Sequence, residues 1–152
     1  MKTKLFILVG FAVMFFQTAC KQSNDVRCVN IDGRDMPFFF LPDSLLTAEE
    51  IEIMVKSDSL IFIEGRIEDG KLIVPDWKVF KKCGIPYLLY KEIIDSENVR
   101  REMVEELNMS EQEQEKYFKM FEDNKAAFLK DRYAIRKIVD YNWDSVHNRK
   151  VQ

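Results

Sequence analysis

Residues 60–75 read LIFIEGRIEDGKLIVP and carry the strongest secondary-structure signal in the chain. Two apolar runs flank the pair Asp69-Gly70, which has the composition of a two-residue type I′ turn. With this turn at the tip of a hairpin, Ile67 lies opposite Leu72. Because apolar and polar residues alternate on the first strand, we expect an antiparallel sheet with one face in solvent.

Residues 28–41 predict a second, smaller β element. The pair Asp32-Gly33 is a turn signal, and Pro37 has no amide hydrogen to donate, so its strand lies at a sheet edge or begins there. Three phenylalanines follow at 38–40 and are predicted to be extended. Since neighbouring strand residues face opposite sides, either both faces are covered or one ring is an exposed contact.

Two capping boxes predict helix starts. In each, a hydroxyl residue is followed three positions later by a glutamate, namely Thr47 with Glu50 and Ser110 with Glu113. The hydroxyl accepts the backbone amide of the glutamate, whose carboxylate accepts the amide of the hydroxyl residue. The first box predicts a helix over residues 48–56.

The second box opens a helix predicted over residues 111–143. Unbroken, it would extend ~50 Å, which is long for a small domain, so we expect a bend or break near 122–124. Upstream, Asp76 is a predicted cap for a short helix over 77–83 whose inner face includes Cys83.

The fold class predicted is therefore α+β. A small antiparallel sheet combines the 60–75 hairpin with the N-terminal β element, and the C-terminal half forms a helical hairpin or small helical bundle. The predicted organisation is a signal peptide (1–19), a modified cysteine and tether (20–27), one globular domain (28–145, β-rich over 28–75 and helical over 76–145), and a polar tail (146–152).

The leader, residues 1–20, reads MKTKLFILVGFAVMFFQTAC. Two lysines precede an apolar run over 5–16, and a short small-to-polar segment follows, which is the order of a secretory signal. As a helix, a run of this length rises only ~18 Å, against a ~30 Å hydrocarbon core. A membrane-spanning helix is the weaker interpretation.

The leader ends in Ala19-Cys20 and is followed by polar residues, a pattern that resembles a bacterial lipoprotein signal. The resemblance covers the leader alone. It implies lipidation of Cys20, which becomes the first residue of the mature chain, and stable anchoring by two or more acyl chains. Such signals usually have an aliphatic residue where this chain has Gln17, so ordinary cleavage with a free Cys20 is the alternative.

Charge argues against nucleic-acid binding. The leader holds two of the 23 basic residues and none of the 26 acidic ones, so the chain after residue 19 has a formal charge of −5. Nucleic-acid binders present basic surfaces to phosphates. The expected attachments are instead the membrane, through the N-terminal lipid, and another envelope protein or a peptide.

Three cysteines occur, Cys20, Cys28 and Cys83. If Cys20 carries lipid, the other two are left in an oxidising compartment, and we predict a bridge between them. Closing that loop would stabilise the fold by ~4 kcal/mol in the chain-entropy description. Two unpaired thiols are the alternative. The spacing fits no metal site, because there is no C-x-x-C and only one histidine.

The sequence contains no recognisable catalytic motif. His147, the single histidine, lies in a polar terminal segment that would not hold a general base in place. No nucleotide-binding glycine loop occurs, and we predict no cofactor. Adjacent acidic pairs are typical of solvated surface, because glycosidase carboxylates face each other across a cleft.

Aromatic residues are concentrated in the last predicted helix. Its three phenylalanines fit an apolar core stripe, but four other aromatic residues do not and are the candidates for partner contact, since tyrosine and tryptophan are frequent binding hot spots. They are Tyr117, Tyr133, Tyr141 and Trp143.

Three functions are compatible with these features. The first is an exported, membrane-anchored lipoprotein with a non-catalytic binding or structural role in the bacterial envelope, most simply at the outer membrane. The second is an inhibitor or self-protection lipoprotein directed at an exported toxin or enzyme. The third is a small carboxylate-based hydrolase, which requires two convergent acids of raised pKa in one pocket.

Overall fold

A computed structural model describes residues 26–106 and 110–147, with the side chains of 103–106 and 147 excepted. The chain divides into two compact units, Met1–Leu41 and Pro42–Gln152. Helices and two antiparallel hairpins alternate along the described ranges, so the predicted α+β class is confirmed. The single domain predicted over 28–145 stays a prediction.

The first unit contains a β-hairpin. Strand β1 (Cys28–Ile31) pairs antiparallel with β2 (Arg34–Pro37). The turn residues Asp32 and Gly33 have φ angles of 50° and 80°, a left-handed backbone that suits aspartate and glycine. The Asn30 side chain accepts the Gly33 amide at 3.2 Å and so fixes the turn. The predicted Asp-Gly turn is confirmed.

The three phenylalanines after β2 do not continue the strand. They form a 3₁₀ turn, Phe38–Phe40, closed by a 3.0 Å bond from the Leu41 amide to the Phe38 carbonyl. Phe38 and Phe39 are both buried, with ring centroids 5.6 Å apart in an edge-to-face arrangement. A strand would send these two rings to opposite faces, whereas the tight turn buries both, so the extended prediction is wrong.

The second unit opens with helix α1 (Ala48–Ser59). Its capping box has both predicted bonds: the Glu50 amide donates to the Thr47 hydroxyl at 3.2 Å, and the Thr47 amide donates to the Glu50 carboxylate at 2.8 Å. The helix extends three residues beyond the predicted end at 56.

The segment Leu60–Glu64, predicted as a strand, is a π-helical turn continuous with α1. The Leu60 amide is bonded to carbonyls of the preceding turn, so no break separates the two helical forms. The wide turn buries Leu60 and Phe62 and exposes Ile63. The strand prediction for this segment is wrong. It was based on apolar content, and a short apolar run does not distinguish a strand from a buried helical segment.

The π turn ends at Gly65. A Cβ atom at this position would lie 2.1 Å from the Ile61 carbonyl oxygen, which is backbone and has no freedom to move aside. Glycine is therefore required for the chain to leave the π turn toward the second hairpin.

The second hairpin is confirmed at its tip. Strands β3 (Arg66–Glu68) and β4 (Lys71–Ile73) pair antiparallel, with Ile67 opposite Leu72 as predicted. The Asp-Gly turn residues have φ angles of 47° and 70°. The strands are shorter than the predicted hairpin of 60–75, and each hairpin of the protein forms its own two-stranded sheet.

Helix α2 (Trp77–Lys82) has the predicted cap, because the Asp76 carboxylate accepts two backbone amides of the first turn. The helix ends in a Schellman motif: Gly84 has a φ angle of 75°, and the Ile85 amide donates to the Phe80 carbonyl at 3.1 Å. Phe80 and Ile85 are both buried, as this motif favours.

Three longer helices follow: α3 (Tyr87–Glu106), α4 (Glu111–Lys130) and α5 (Ala134–His147). The break predicted near 122–124 is wrong, since α4 runs through that segment. The chain bends at Asp131, whose extended backbone ends α4 and whose carbonyl accepts the first amide of α5 at 2.8 Å. In the described ranges, no helix combines the length and apolarity needed to cross a bilayer.

The core of the second unit lies between the π turn and the C-terminal helices. Its buried residues are Val55, Phe62, Phe121 and Phe128, and partly buried aliphatic residues of α1, the hairpin and α5 surround them. The Phe62 ring lies 5.5 Å from that of Phe121 and 5.9 Å from that of Phe128. The π turn thus supplies the residue around which α4 packs.

We predict that Gly65→Ala lowers the free energy of unfolding by about 1–3 kcal/mol, the usual cost of overpacking against a fixed neighbour. Urea denaturation followed by circular dichroism measures the loss. Glu64→Ala, at an exposed neighbouring position, is the control and is expected to change stability by less than about 0.5 kcal/mol. Equal stability of the two variants would contradict the proposed backbone clash.

Candidate functional site

A cavity of about 320 Å³ opens beside the core of the second unit. The cavity is formed by α1, the π turn, the C-terminal part of α4 and the connection to α5. It is lined by Val55, Lys56, Ser59, Ile63, Phe128 and Arg132. Val55 and Phe128 are buried, while Ile63 is 56% exposed at the mouth. The lining is apolar at its base and cationic at its edge.

A carboxylate on α1 anchors the cationic edge. The Arg132 guanidinium donates to Glu52 at 2.6 Å, and the Tyr133 hydroxyl donates to the other oxygen of Glu52 at 2.7 Å. The Tyr133 bond and, in smaller measure, the charges of Arg132 and Lys56 hold the pKa of Glu52 below its usual value. These contacts join α1 to the connection that carries Arg132.

Side-chain hydrogen bonds also hold the connection between α4 and α5 in place. The Asp131 carboxylate accepts the Tyr133 amide at 2.9 Å and a 2.5 Å bond from the Lys137 ammonium. The Lys137 bond is the main reason why the pKa of Asp131 lies below its usual value. A side chain that bonds the backbone two residues on is typical of an aspartate-led turn. The position of Arg132 therefore follows from the turn.

The cavity combines an apolar surface with positive charge. Its lining holds two cations and one hydroxyl and no carboxylate, and the nearby Glu52 is already engaged by Arg132 and Tyr133. An apolar group with an anionic end matches both parts of this lining. In the described part of the chain, no group of three or more His, Cys, Asp or Glu side chains is placed to hold a metal ion.

A second polar cluster lies between the hairpin, α3 and α4. Arg100 donates two bonds to Glu97, at 2.9 Å and 2.5 Å, and a third to the Gly70 carbonyl at 3.1 Å. Glu97 also accepts the Leu72 amide at 3.3 Å. The side chains of the ion pair are only 12% and 10% exposed. Burial raises the pKa of Glu97, but these bonds outweigh it and the net pKa lies below the usual value.

Tyr117, a predicted partner contact, completes this second cluster. Its hydroxyl donates to Glu97 at 3.2 Å, and the Arg100 guanidinium lies 4.2 Å above its ring. Burial, with the nearby Glu97 charge, raises the pKa of the Tyr117 hydroxyl to about 12. Both the hydroxyl and one ring face of Tyr117 are used within the chain, in a structural role.

A third cluster surrounds Arg136 of α5, which is 1% exposed. Its guanidinium pairs with Asp43 at 2.6 Å, and the Asp43 amide donates to Asp140, one turn further along α5, at 2.7 Å. These bonds fasten the start of the second unit to its last helix. A buried guanidinium is stable there because it is paired.

Asp58, like Arg101, has a buried side-chain polar atom without a hydrogen-bond partner among the described residues. Asp58 is 8% exposed, and its atom without a partner is Oδ2. Burial raises the pKa of Asp58 to about 7, against the opposing effect of the Arg136 charge. Glu92 of α3 also has a pKa above its usual value because of burial. Neither residue lines the cavity.

The remaining predicted contact residues differ in exposure. Tyr141 is 75% exposed and Tyr133 is 36% exposed, while Trp143 is partly buried. Tyr133 alone among the four predicted residues lies beside the cavity. His147 is the last residue of α5, and its side chain is outside the described structure.

The cysteine prediction is corrected by the structure. Cys83 has a free thiol and is half-buried, so the bridge predicted between Cys28 and Cys83 is wrong. The prediction placed Cys83 on the inner face of a helix over 77–83, but the helix ends at Lys82 and Cys83 is its C-cap. Cys20, the predicted lipidation site, lies outside the described residues.

Most cavity residues were missed by the sequence. Ser59 lies beyond the predicted helix end at 56, Ile63 lies in the segment predicted as a strand, and Arg132 follows a helix end that was predicted elsewhere. One signal was available: Asp131, three residues before an apolar helical period, has the composition of a helix cap.

No family model, curated protein or solved structure matches the chain.

We predict that Arg100→Gln lowers the free energy of unfolding by about 3 kcal/mol, because it leaves Glu97 buried without its cation. Lys91→Gln is the control on the same helix, since Lys91 pairs with Asp95 in solvent and is expected to cost less than about 1 kcal/mol. Chemical denaturation measures both. Similar losses would show that the Arg100 pair is no stronger than a surface pair.

We predict that Asp58 makes the protein less stable as pH rises from about 4 to about 7. The folded pKa of about 7 exceeds the unfolded value near ~3.9, so the folded state holds the extra proton in that window. Ionising the buried group costs up to about 4 kcal/mol above pH 7.

The test is the pH dependence of unfolding in Asp58→Asn, whose stability relative to the unmodified protein is expected to increase between pH 5 and pH 8. Asp123→Asn, at an exposed site on α4, is the control and is expected to leave the pH profile unchanged. A parallel profile for Asp58→Asn would show that Asp58 is not protonated in the folded state.

Proposed function

We propose that the chain is an exported lipoprotein of the bacterial envelope, held to a membrane through Cys20, with a non-catalytic binding role. The leader and its Ala19-Cys20 exit support the anchor. The observation that carries the binding role is the cavity, which is apolar inside and has Lys56 and Arg132 at its edge.

The distribution of perturbed acids supports binding over hydrolysis. A carboxylate hydrolase needs two acids that converge on one pocket with separated pKa values. Asp58 and Glu92, the carboxyl groups whose pKa is raised, are outside the cavity lining. Glu52, which bonds the cavity residue Arg132, also accepts the Tyr133 hydroxyl and has a pKa below its usual value.

An inhibitor or self-protection lipoprotein is the second candidate. The exposed face of α5 favours it, since Tyr141 is 75% and Ile138 is 44% exposed and their three-residue spacing places them on one side of the helix. Large exposed aromatic and aliphatic residues are frequent in protein interfaces. A tight one-to-one complex with an exported protein distinguishes this candidate from a ligand-binding lipoprotein.

We predict that Cys20→Ala moves the protein from the membrane fraction to the soluble fraction of cells, because the acyl chains would have no attachment point. Fractionation followed by immunoblotting measures the change, and mass spectrometry of the protein that retains Cys20 detects the acyl groups. Cys83→Ala, which removes the free thiol of the folded part, is the control and is expected to stay with the membrane. Continued membrane attachment of Cys20→Ala would refute the lipid anchor.

A further inference from the structure

We infer that the cavity binds a small amphiphilic carboxylate, with its apolar chain against Val55, Phe128 and Ile63 and its carboxylate at Lys56 and Arg132. This inference deepens the proposed binding role and rests on it. The ligand class is a single-chain aliphatic acid.

The apolar part of the proposed binding surface is the base of the cavity. Val55 is 2% and Phe128 is 6% exposed, and both belong to the packed core, so the base is a fixed surface. Ile63, 56% exposed, extends the apolar surface to the mouth. An apolar ligand that covers this isoleucine removes apolar surface from water, which makes the free energy of binding more favourable.

The charged part of the proposed binding surface is the edge of the cavity. Lys56 makes no hydrogen bond or ion pair with any described residue, although its charge contributes to the lowered pKa of Glu52. Arg132 uses one terminal nitrogen on Glu52 and lies over the Tyr133 ring, and its other guanidinium donors make no hydrogen bond to a described residue. Lys56 and Arg132 are the charged residues of the lining, which includes no carboxylate, so the lining has a positive charge that favours an anion.

Ser59 adds a hydroxyl to the same edge. It follows Lys56 by three residues on α1, and side chains at that spacing lie on the same side of a helix. A carboxylate takes several hydrogen bonds, so a lysine, an arginine and a serine around one position match its acceptors.

The size of the cavity selects a small ligand. About 320 Å³ is at the lower end of the ~300–1,000 Å³ range of ligand pockets. Such a cavity accommodates one aliphatic chain with a single head group. The same chemistry occurs at the carboxyl terminus of a peptide that ends in an apolar residue, so the experiment includes both sources.

The test is isothermal titration calorimetry of decanoate into the otherwise complete exported chain carrying Cys20→Ala, which avoids detergent and lipid. Three ligands separate the contributions of charge and apolar surface: decanol has the chain without the charge, decyltrimethylammonium has the opposite charge, and acetate has the charge without the chain. We expect saturable one-to-one binding of decanoate, with each of the other three at least about tenfold weaker.

Variants locate the site. Lys56→Gln and Arg132→Gln are each expected to weaken decanoate binding about tenfold, through loss of one charge-assisted bond. Ile63→Glu, at an exposed position, is expected to abolish binding, because it places a charge where the apolar chain of the ligand would lie. Lys130→Gln is the matched control, because it removes an exposed lysine of α4 that does not line the cavity. Circular dichroism confirms that each variant is folded.

Three results would overturn the inference: no saturable binding of decanoate, equal affinity for decanoate and decanol, or unchanged affinity in Lys56→Gln and Arg132→Gln. Tighter binding of a peptide ending in leucine than of decanoate would assign the cavity to a peptide carboxyl terminus and overturn the aliphatic acid as ligand. In that case the proposed envelope-binding role would stand. Two other results would count against the envelope-binding role itself. One is recovery of the protein with Cys20 intact in the soluble fraction of cells, and the other is no binding of any of these ligands or of the peptide.

Discussion

The second unit depends on one backbone constraint, the helical chain that continues past Ser59 into the π turn and stops at Gly65. The wide turn rotates Phe62 into the core, where it meets Phe121 and Phe128 of α4. It also leaves Ile63 at the cavity mouth. Core and cavity are therefore two faces of the same five-residue turn, and π turns of this kind are frequently found at functional sites.

Polar pairs then fix the helices around that turn. The Arg100–Glu97 pair fastens the hairpin to α3 and, through Tyr117, to α4. Arg136 fastens α5 to the start of the unit through Asp43. Since buried pairs cost desolvation, their main contribution is to select one arrangement of helices. Exposed pairs such as Lys91–Asp95 contribute little to that selection.

Local chemistry in the sequence was sufficient to predict the helix caps and turns. Thr47 bonds to a residue three positions on and Asp69 adopts a left-handed backbone at a turn, so both features depend on local sequence. The π turn was not predictable in this way, because an apolar run fits a strand or a buried helix equally and packing of Phe62 decides between them. The cavity depends on that packing and on the bend at Asp131, and so the sequence did not reveal it.

The bond between Arg136 and Asp43 has a consequence for folding kinetics. In the described residues, the hydrogen bonds of both hairpins and of the helices join residues that are near in sequence. Such contacts form quickly. The Arg136–Asp43 pair instead spans 93 positions, so its formation requires the ends of the second unit to meet, at the entropic cost of a long loop. Docking of α5 is therefore the step that we expect to come last, after the rest of the unit has already folded.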